Sequence, residues 1–205
     1  MVLVLRTVNK CSWSERGFGF GFASRERSVS VRERGIVMTS PFILPSYFLT
    51  FTTYGTWLHG DTRGSVDREH NIVETPYLEP DAEHFAEKKL RMVQPAYTLD
   101  FQRRDLVLNS IIKLFQIRSW ELFALHVRSN HVHLLGAAEI KPERMMHDCK
   151  SFASRALNHA KIESSERRRW TRGGSTRWIK SELVFDDVLE YVLHRQGEVM
   201  SRWPD

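Results

Sequence analysis

The sequence is poor in cysteine and lacks any long apolar run. Among its 205 residues there are only two cysteines, Cys11 and Cys149, too far apart to form a metal-binding or redox motif. We therefore expect reduced thiols in a reducing compartment, the cytoplasm. No run of 18 apolar residues occurs, so no membrane-spanning helix is expected. The apolar start, residues 1–5, is too short for a signal peptide and is followed by Arg6, so we expect no membrane partner.

Positive charge is spread unevenly along the chain. The formal net charge is +5, yet residues 141–180 alone hold 11 Lys or Arg and 4 Asp or Glu, a net charge of +7. Residues 38–140 and 181–205 are net negative. One basic segment in a nearly neutral body is typical of a surface that binds a polyanion such as nucleic acid. The alternative is a solvated helix face without a partner.

Residues 1–37 differ from the rest of the chain. They are first rich in Gly, Phe and Ser and then alternate Arg with Glu, Ser and Val, without a sustained helix or strand period. We predict a disordered arm here or, because Met38 begins a cleaner segment, a start codon that was assigned too early. Residues 38–205 are predicted to form a single domain.

Two histidines at alternate positions occur near the middle of the chain. His131-Val-His133 follows an apolar strand and a short polar turn, Arg128-Ser-Asn130. Because side chains alternate between the faces of a strand, His131 and His133 should point the same way, about 6–7 Å apart, with Val132 in the core. Two imidazoles in this arrangement can hold one metal ion. The alternative is a pair of half-exposed strand histidines without a ligand.

The apolar periodicity of the chain predicts its fold class. We expect strands at residues 47–53, 120–127, 131–137 and 175–180, the last at an edge, and helices at 81–92, around 108–115, at 142–160 and at 183–196. The connection between the strands at 120–127 and 131–137 has only three residues, so these two strands should form an antiparallel hairpin. This order predicts an α+β, ferredoxin-like (RRM-like) antiparallel sheet with helices packed on one face and with the histidine strand at its centre.

A tyrosine lies at the surface of the last predicted helix. The buried apolar stripe of this helix is predicted to consist of Phe185, Val188, Leu189 and Val192. Tyr191 lies at the edge of that stripe, so its ring can pack against the protein while its hydroxyl reaches the surface. Tyrosines in such places are usually structural. Tyr54, in a glycine-rich loop after the first strand, is the other candidate for a reactive tyrosine.

The basic segment contains several candidate nucleic-acid contacts. They are Lys150 and Arg155 on the helix, followed by Arg168, Arg169, Trp170 and Arg172 in the loop. Arginine and lysine can bind phosphates, and a tryptophan can stack on an unpaired base. For Trp170 the simpler alternative is packing against the protein.

Five pieces of the chain between residues 46 and 200 resemble one protein family, in the family's own order. They are Phe48-Leu-Thr-Phe-Thr-Thr-Tyr-Gly-Thr-Trp-Leu-His-Gly-Asp61, Asn130-His-Val-His-Leu-Leu135, Lys150-Ser-Phe-Ala-Ser-Arg-Ala-Leu-Asn158, Trp170-Thr-Arg-Gly-Gly-Ser-Thr-Arg177 and Tyr191-Val-Leu-His-Arg-Gln-Gly197. The second piece looks like an HUH motif with Val132 in the middle. Together they resemble the single-tyrosine HUH transposases, which are the insertion-sequence-200-like group and the REP-associated tyrosine transposases.

This resemblance implies a transposase-type enzyme that nicks and rejoins single-stranded DNA at hairpin-flanked sites. Tyr191 would attack phosphorus and leave a 5′-phosphotyrosine link and a free 3′-OH. His131 and His133 would hold a divalent metal, Mg2+ or Mn2+, that polarises the scissile phosphate. The resemblance also implies a homodimer, in which the tyrosine helix of one subunit often completes the metal site of the other.

The third metal ligand stays open. In several relatives a Gln or Asn four residues after the tyrosine completes the site, but here that residue is Arg195, which cannot bind a cation. On a regular helix His194 lies about 60° from Tyr191 and Gln196 about 140° away, which favours His194 unless the last turn unwinds at Gly197. The Gln-Gly ending favours Gln196.

Two other hypotheses remain. Arg195 motivates a domesticated DNA- or RNA-binding protein that binds hairpins with weak or no cleavage. The histidine pair alone is also consistent with an unrelated metal hydrolase that uses water as its nucleophile.

Overall fold

The computed structural model describes residues 44–62 and 79–204. The arm predicted at residues 1–37 lies outside the described residues. The strands are β1 (Ser46–Thr52), β2 (Glu121–Val127), β3 (His131–Ala137), β4 (Ser175–Ile179) and β5 (Ser201–Trp203). The helices are α1 (Ala82–Leu90), α2 (Phe101–Arg118), α3 (Pro142–His159) and α4 (Glu182–His194). In the described part of the chain, no helix is long and apolar enough to cross a bilayer.

Three of the four described helices begin at a residue whose side chain accepts a hydrogen bond from one of the first unpaired backbone N–H groups. The Asp81 carboxylate accepts from the His84 N–H, and the Asp100 carboxylate accepts from the Arg103 N–H. Ser181 does the same for α4, and Pro142 occupies the first turn of α3. Local sequence signals therefore place the starts of α1, α3 and α4 within one residue of their predicted positions, whereas α2 begins at Phe101, ahead of the predicted apolar stripe.

The strands form one antiparallel sheet in the order β4-β1-β3-β2-β5. The histidine strand β3 is central, as predicted, with β1 on one side and β2 on the other. β4 lies at an edge, as predicted, and pairs with β1. β5 was not predicted because it has only three residues, which pair with Leu125, His126 and Val127 of β2.

One face of the sheet is packed against α2 and α3. The buried strand residues on this face include Leu49, Phe51, Leu125, Val127, Val132 and Leu134. They pack against buried residues of the two helices, among them Val107, Ile111, Leu114, Met145, Cys149 and Ala153. This confirms the predicted α+β class and the packing of these two helices on one face.

The last helix departs from the predicted one-face arrangement, because α4 lies on the opposite face. There Phe48, Ala124, Leu135 and Ile179 form a second, smaller core with Phe185, Val188 and Val192 of α4. The physical reason is that the central strands carry large apolar side chains on both faces, so each face needs a cover. As a result, α4 lies on the same face as the histidine pair.

Candidate functional site

The two histidines lie side by side on the face that α4 shares. The centres of the His131 and His133 rings are 4.7 Å apart, with the ring planes at 71°. Val132, between them in sequence, is fully buried on the other face. The alternation predicted from the sequence is therefore confirmed, and the rings are closer together than the expected spacing along the strand.

His133 is buried and held by its neighbours on β1. Its Nδ1 lies 2.8 Å from Thr50 Oγ1, and its ring stacks on Phe48 with the ring centres 5.6 Å apart. Burial, with repulsion from His131, His126 and Arg128, lowers the pKa of His133 to about 3, although a side-chain hydrogen bond with Gln196 acts in the opposite direction. His133 is therefore neutral at neutral pH, which is the form that binds a metal ion.

Each histidine has an oxygen beside its Nδ1. For His131 this is Asn130 Oδ1, 2.7 Å away, and for His133 it is the Thr50 hydroxyl. When Nδ1–H donates to an oxygen, Nε2 carries the lone pair that can bind a metal, and the ring orientation is fixed. The pair thus has the supporting contacts that metal-binding histidines usually have.

Helix α4 brings Tyr191 to the histidine pair. The ring centre of Tyr191 is 5.4 Å from that of His133 and 6.0 Å from that of Phe48, in edge-to-face arrangements. Its side chain is nevertheless 37% exposed, so a large substrate can reach it. The other candidate, Tyr54, lies in the loop after β1, where its hydroxyl accepts a hydrogen bond from the Val93 N–H.

At the end of α4, the two candidates for a third metal ligand, Gln196 and His194, lie in different surroundings. The helix ends at His194, and Gly197 has a φ of +74°, so residue 196 does not continue the helix. The Gln196 Nε2 donates to the Tyr191 carbonyl oxygen over 3.0 Å, and its side chain lies close enough to His133 to oppose the lowering of the His133 pKa. His194 is exposed and lies 4.0 Å from Glu190. Arg195 pairs with Asp187 on the outer side of the helix.

His126 was not singled out from the sequence, although it connects α4 to the sheet. It is 1% exposed and lies opposite His133 in the β2–β3 register. Its Nδ1 lies 2.9 Å from the Val192 carbonyl oxygen, and its Nε2 accepts from the Met200 N–H. Burial lowers the pKa of His126, with a further contribution from Arg128 and Arg202. The sequence signal that could have identified His126 is a polar residue within an otherwise apolar strand.

Three of the predicted nucleic-acid contacts have their polar groups bonded within the protein. Arg169 is 4% exposed and pairs with Glu163 over 2.6 Å. Lys150 Nζ donates to the carbonyl oxygens of Thr171 and Gly173, and burial lowers its pKa to about 8. Trp170 Nε1 donates to the Lys150 carbonyl oxygen and the Ser154 hydroxyl.

The other three predicted contacts are exposed. Arg155 lies over the Phe152 ring at 4.4 Å, and Arg168 lies 5.9 Å from the centre of the Tyr54 ring. Arg172 follows Thr171, whose hydroxyl is 3.0 Å from that of Thr52 on the histidine face of the sheet. The loop of residues 163–174, called the basic loop below, therefore runs from the edge of the histidine site to the loop that contains Tyr54.

The donor set limits how a metal could be held. Within residues 44–62 and 79–204, no group of three or more His, Cys, Asp or Glu side chains is arranged to hold a metal ion. A metal at the histidine pair would therefore need donors of another kind. The Gln196 amide near His133 is one such group, and water or a phosphate of the substrate can supply the rest.

Comparisons with known proteins gave a distant structural likeness. No family model and no curated protein matches the chain. A solved structure of a REP-associated tyrosine transposase bound to a REP hairpin is similar, with 12% sequence identity and a TM-score of 0.41 over 82% of this chain and 72% of that chain. A likeness at this level does not assign a function, so the residues of the chain itself must do so.

Proposed function

We propose that the chain is a tyrosine-dependent endonuclease and ligase of single-stranded DNA, of the transposase type, assisted by a divalent metal. The observation that carries this proposal is the position of Tyr191. Its ring lies 5.4 Å from the ring of His133, within the same chain, and Gln196, which donates to the Tyr191 carbonyl oxygen, also lies near His133. A tyrosine, two imidazoles and an amide on one open face are suited to phosphoryl transfer.

His131, His133 and Gln196 are the residues that would hold the metal. The short ring-to-ring distance, the neutral state of His133 and the oxygen at each Nδ1 support this assignment. The end of α4 favours Gln196 over His194, because the helix ends before residue 196 and the Gln196 side chain lies near His133, whereas His194 is exposed beside Glu190. A bound Mg2+ or Mn2+ would draw charge from the scissile phosphate and so favour attack on phosphorus.

Tyr191 would supply the nucleophile. As its Oη bonds to phosphorus, its proton passes to water and the bond from phosphorus to the 3′ oxygen breaks. The 3′ oxygen then takes up a proton and leaves as a free hydroxyl. Because the new phosphotyrosine ester keeps the energy of the broken ester, attack by another 3′-OH can reverse the reaction without ATP. Tyr191 and His133 meet within one chain, so the reaction as proposed does not need a second subunit to bring them together.

The exposed arginines would hold the DNA. Arg155, Arg168 and Arg172 belong to the segment of net charge +7, and guanidinium groups bind phosphate oxygens well. Lys150, Arg169 and Trp170 would act indirectly, since their internal hydrogen bonds fix the loop that carries Arg168 and Arg172. Hairpin DNA with a single-stranded flank is the proposed substrate.

The proposal is tested by a cleavage assay on single-stranded oligonucleotides taken from both flanks of the gene. Wild type and Tyr191→Phe are incubated with Mg2+ or Mn2+ and run on a denaturing protein gel. We expect a protein–DNA adduct with wild type that disappears with Tyr191→Phe or with a chelator. Tyr54→Phe, which alters the other candidate tyrosine, serves as the matched control and should still form the adduct.

Two other outcomes would each favour an alternative function. Cleaved DNA without an adduct, unchanged by Tyr191→Phe, would indicate a metal hydrolase that uses water. Tight binding to the hairpins with no cleavage of any flank would indicate a domesticated DNA- or RNA-binding protein. Arg195, which motivated that alternative, pairs with Asp187 and leaves the position beside His133 to Gln196.

A further inference from the structure

A pocket opens where β1 ends, next to the histidine face. It has a volume of about 530 Å3 and is lined by the apolar side chains of Leu58, Met92 and Trp170, by Tyr54, and by arginines of the basic loop. An adjoining hollow of about 670 Å3 shares Leu58 and Met92 with it. Volumes of this size are typical of pockets that enclose small molecules or parts of larger ones.

Hydrogen bonds connect this pocket to the histidine pair. Thr171 lines the pocket, and its N–H donates to the Thr52 carbonyl oxygen over 3.1 Å. Thr52 is the partner of His131 in the β1–β3 register. The pocket therefore begins within a few residues of the site where the scissile phosphate is proposed to bind.

The charges around the pocket suit an anionic ligand with an apolar or aromatic part. The exposed Arg168 lies 5.9 Å from the centre of the Tyr54 ring, and the exposed Arg172 also lines the pocket. None of the described residues that line it is acidic. Phosphates bound at the arginines would thus bring an attached ring to the apolar wall formed by Tyr54, Leu58 and Met92.

The wall of the pocket is held in place by the buried part of the basic segment. Trp170 packs edge-to-face on Phe51 at 5.2 Å and is fixed by two hydrogen bonds from its Nε1. Gly55 has a φ of +72°, and a side chain added there would lie 2.2 Å from Met92 Cε. Because these contacts form without a ligand, the pocket is preformed, which lowers the cost of ordering it on binding.

We propose that this pocket takes one unpaired base of the DNA strand that flanks the scissile phosphate. The base lies against Tyr54, Leu58 and Met92, and Arg168 and Arg172 bind the neighbouring backbone phosphates. This inference rests on the proposed function for its substrate, and it adds a binding site for a particular part of that substrate. Stacking on an aromatic ring accepts any base, so the pocket orders the strand without reading its sequence.

The experiment distinguishes binding of the bases from binding of the sugar-phosphate backbone. Binding to the full chain is measured by fluorescence anisotropy with two labelled probes of equal length, oligo(dT) and an abasic oligomer that keeps the phosphates and sugars. We expect wild type to bind oligo(dT) about tenfold more tightly, the effect of one stacked base. Leu58→Trp, which fills the pocket, should bind both probes equally. Leu90→Trp places the same ring at an 86% exposed position that does not line the pocket, and it should keep the preference.

Several results would overturn the inference. Equal binding of both probes by wild type would show that no base is bound, and a preference retained in a folded Leu58→Trp would place the base elsewhere. Failure to bind either probe would remove single-stranded DNA as the occupant. Because no cleavage is needed, these results are independent of the adduct assay. A base preference without an adduct would leave the pocket in place and reject only the catalytic proposal.

Discussion

The two faces of strand β3 differ in what lies on them. Val132 and Leu134 are fully buried beneath α2 and α3. On the other face, His131 and His133 lie beside Tyr191, at a place that α4 leaves partly open. Because side chains alternate along a strand, one seven-residue element can anchor the core and present reactive groups at the same time. Stability and chemistry should therefore separate cleanly between adjacent residues of β3.

The largest effect is expected on the histidine face. His131→Ala should lower the rate of metal-dependent cleavage by about a thousandfold, since a bound metal contributes several kcal/mol to such reactions. The change in the free energy of unfolding should be small, about 1 kcal/mol or less, because this side chain is only partly buried. Single-turnover cleavage and urea denaturation measure the two quantities.

The control for this prediction is Ser175→Ala. Ser175 lies opposite Thr50 in the β1–β4 register and so faces the same side of the sheet as the histidines. Its replacement should leave the cleavage rate nearly unchanged. An equal loss of rate in both variants would mean that general disturbance of this face, and not a lost ligand, explains the effect.

On the opposite face the expected effect is on stability. Leu134→Ala removes a fully buried side chain and should lower the free energy of unfolding by about 2–5 kcal/mol. The folded fraction should still bind Mn2+ as wild type does, which isothermal titration calorimetry can measure. Loss of Mn2+ binding by a fully folded Leu134→Ala would show that the two faces are not independent.

In the basic loop, too, a buried residue and an exposed residue should differ in their effect on stability. The buried one is Glu163. This carboxylate accepts hydrogen bonds from Tyr97, Arg103 and Arg169. Burial would raise the pKa of Glu163, but these hydrogen bonds outweigh that effect and lower it. Glu163→Gln should therefore destabilise the protein by about 3 kcal/mol at neutral pH, because it removes the negative partner of the buried Arg169 and leaves Arg103 with Asp100 as its remaining one.

The pH dependence of this effect has a definite sign. The contribution of Glu163 is present above the ordinary pKa of a carboxyl group and is lost as the pH falls through its lowered value in the folded protein. The difference in stability between wild type and Glu163→Gln should thus shrink in acid, as measured by urea denaturation at several pH values. Glu166→Gln, at an exposed position of the same loop, should show little difference at any pH.

The smallest of these effects concerns the attachment of α4 to the sheet. His126→Phe leaves the Val192 carbonyl oxygen and the Met200 N–H without their partner, which should cost about 1–3 kcal/mol. Amide hydrogen exchange near the end of α4 should become faster, and cleavage slower, because Tyr191 and Gln196 lie there. His126→Asn keeps a donor near the position of Nδ1 and should restore part of both. Unchanged exchange in His126→Phe would argue against this attachment.

The sequence predicted some parts of this molecule well because the signals for them are local. The alternation of β3 and the apolar stripe of α4 depend on near neighbours, and both are confirmed. The position of Gln196 was harder to predict from the sequence. The angle of about 140° between Gln196 and Tyr191 assumes a regular helix, but α4 ends two residues before Gln196. Nor could the sequence separate the neighbouring residues Arg168 and Arg169. Only the folded chain shows that one is exposed and the other is paired with Glu163.

The central claim is that Tyr191 is the nucleophile of a metal-assisted reaction at the histidine pair. The most direct measurement is to digest the covalent protein–DNA adduct formed with Mn2+ and to locate the attached nucleotide by mass spectrometry. We expect a nucleotide phosphate on the peptide that contains Tyr191, and none when His131 is replaced by Ala. A nucleotide on the peptide that contains Tyr54, or on any other residue, would contradict it.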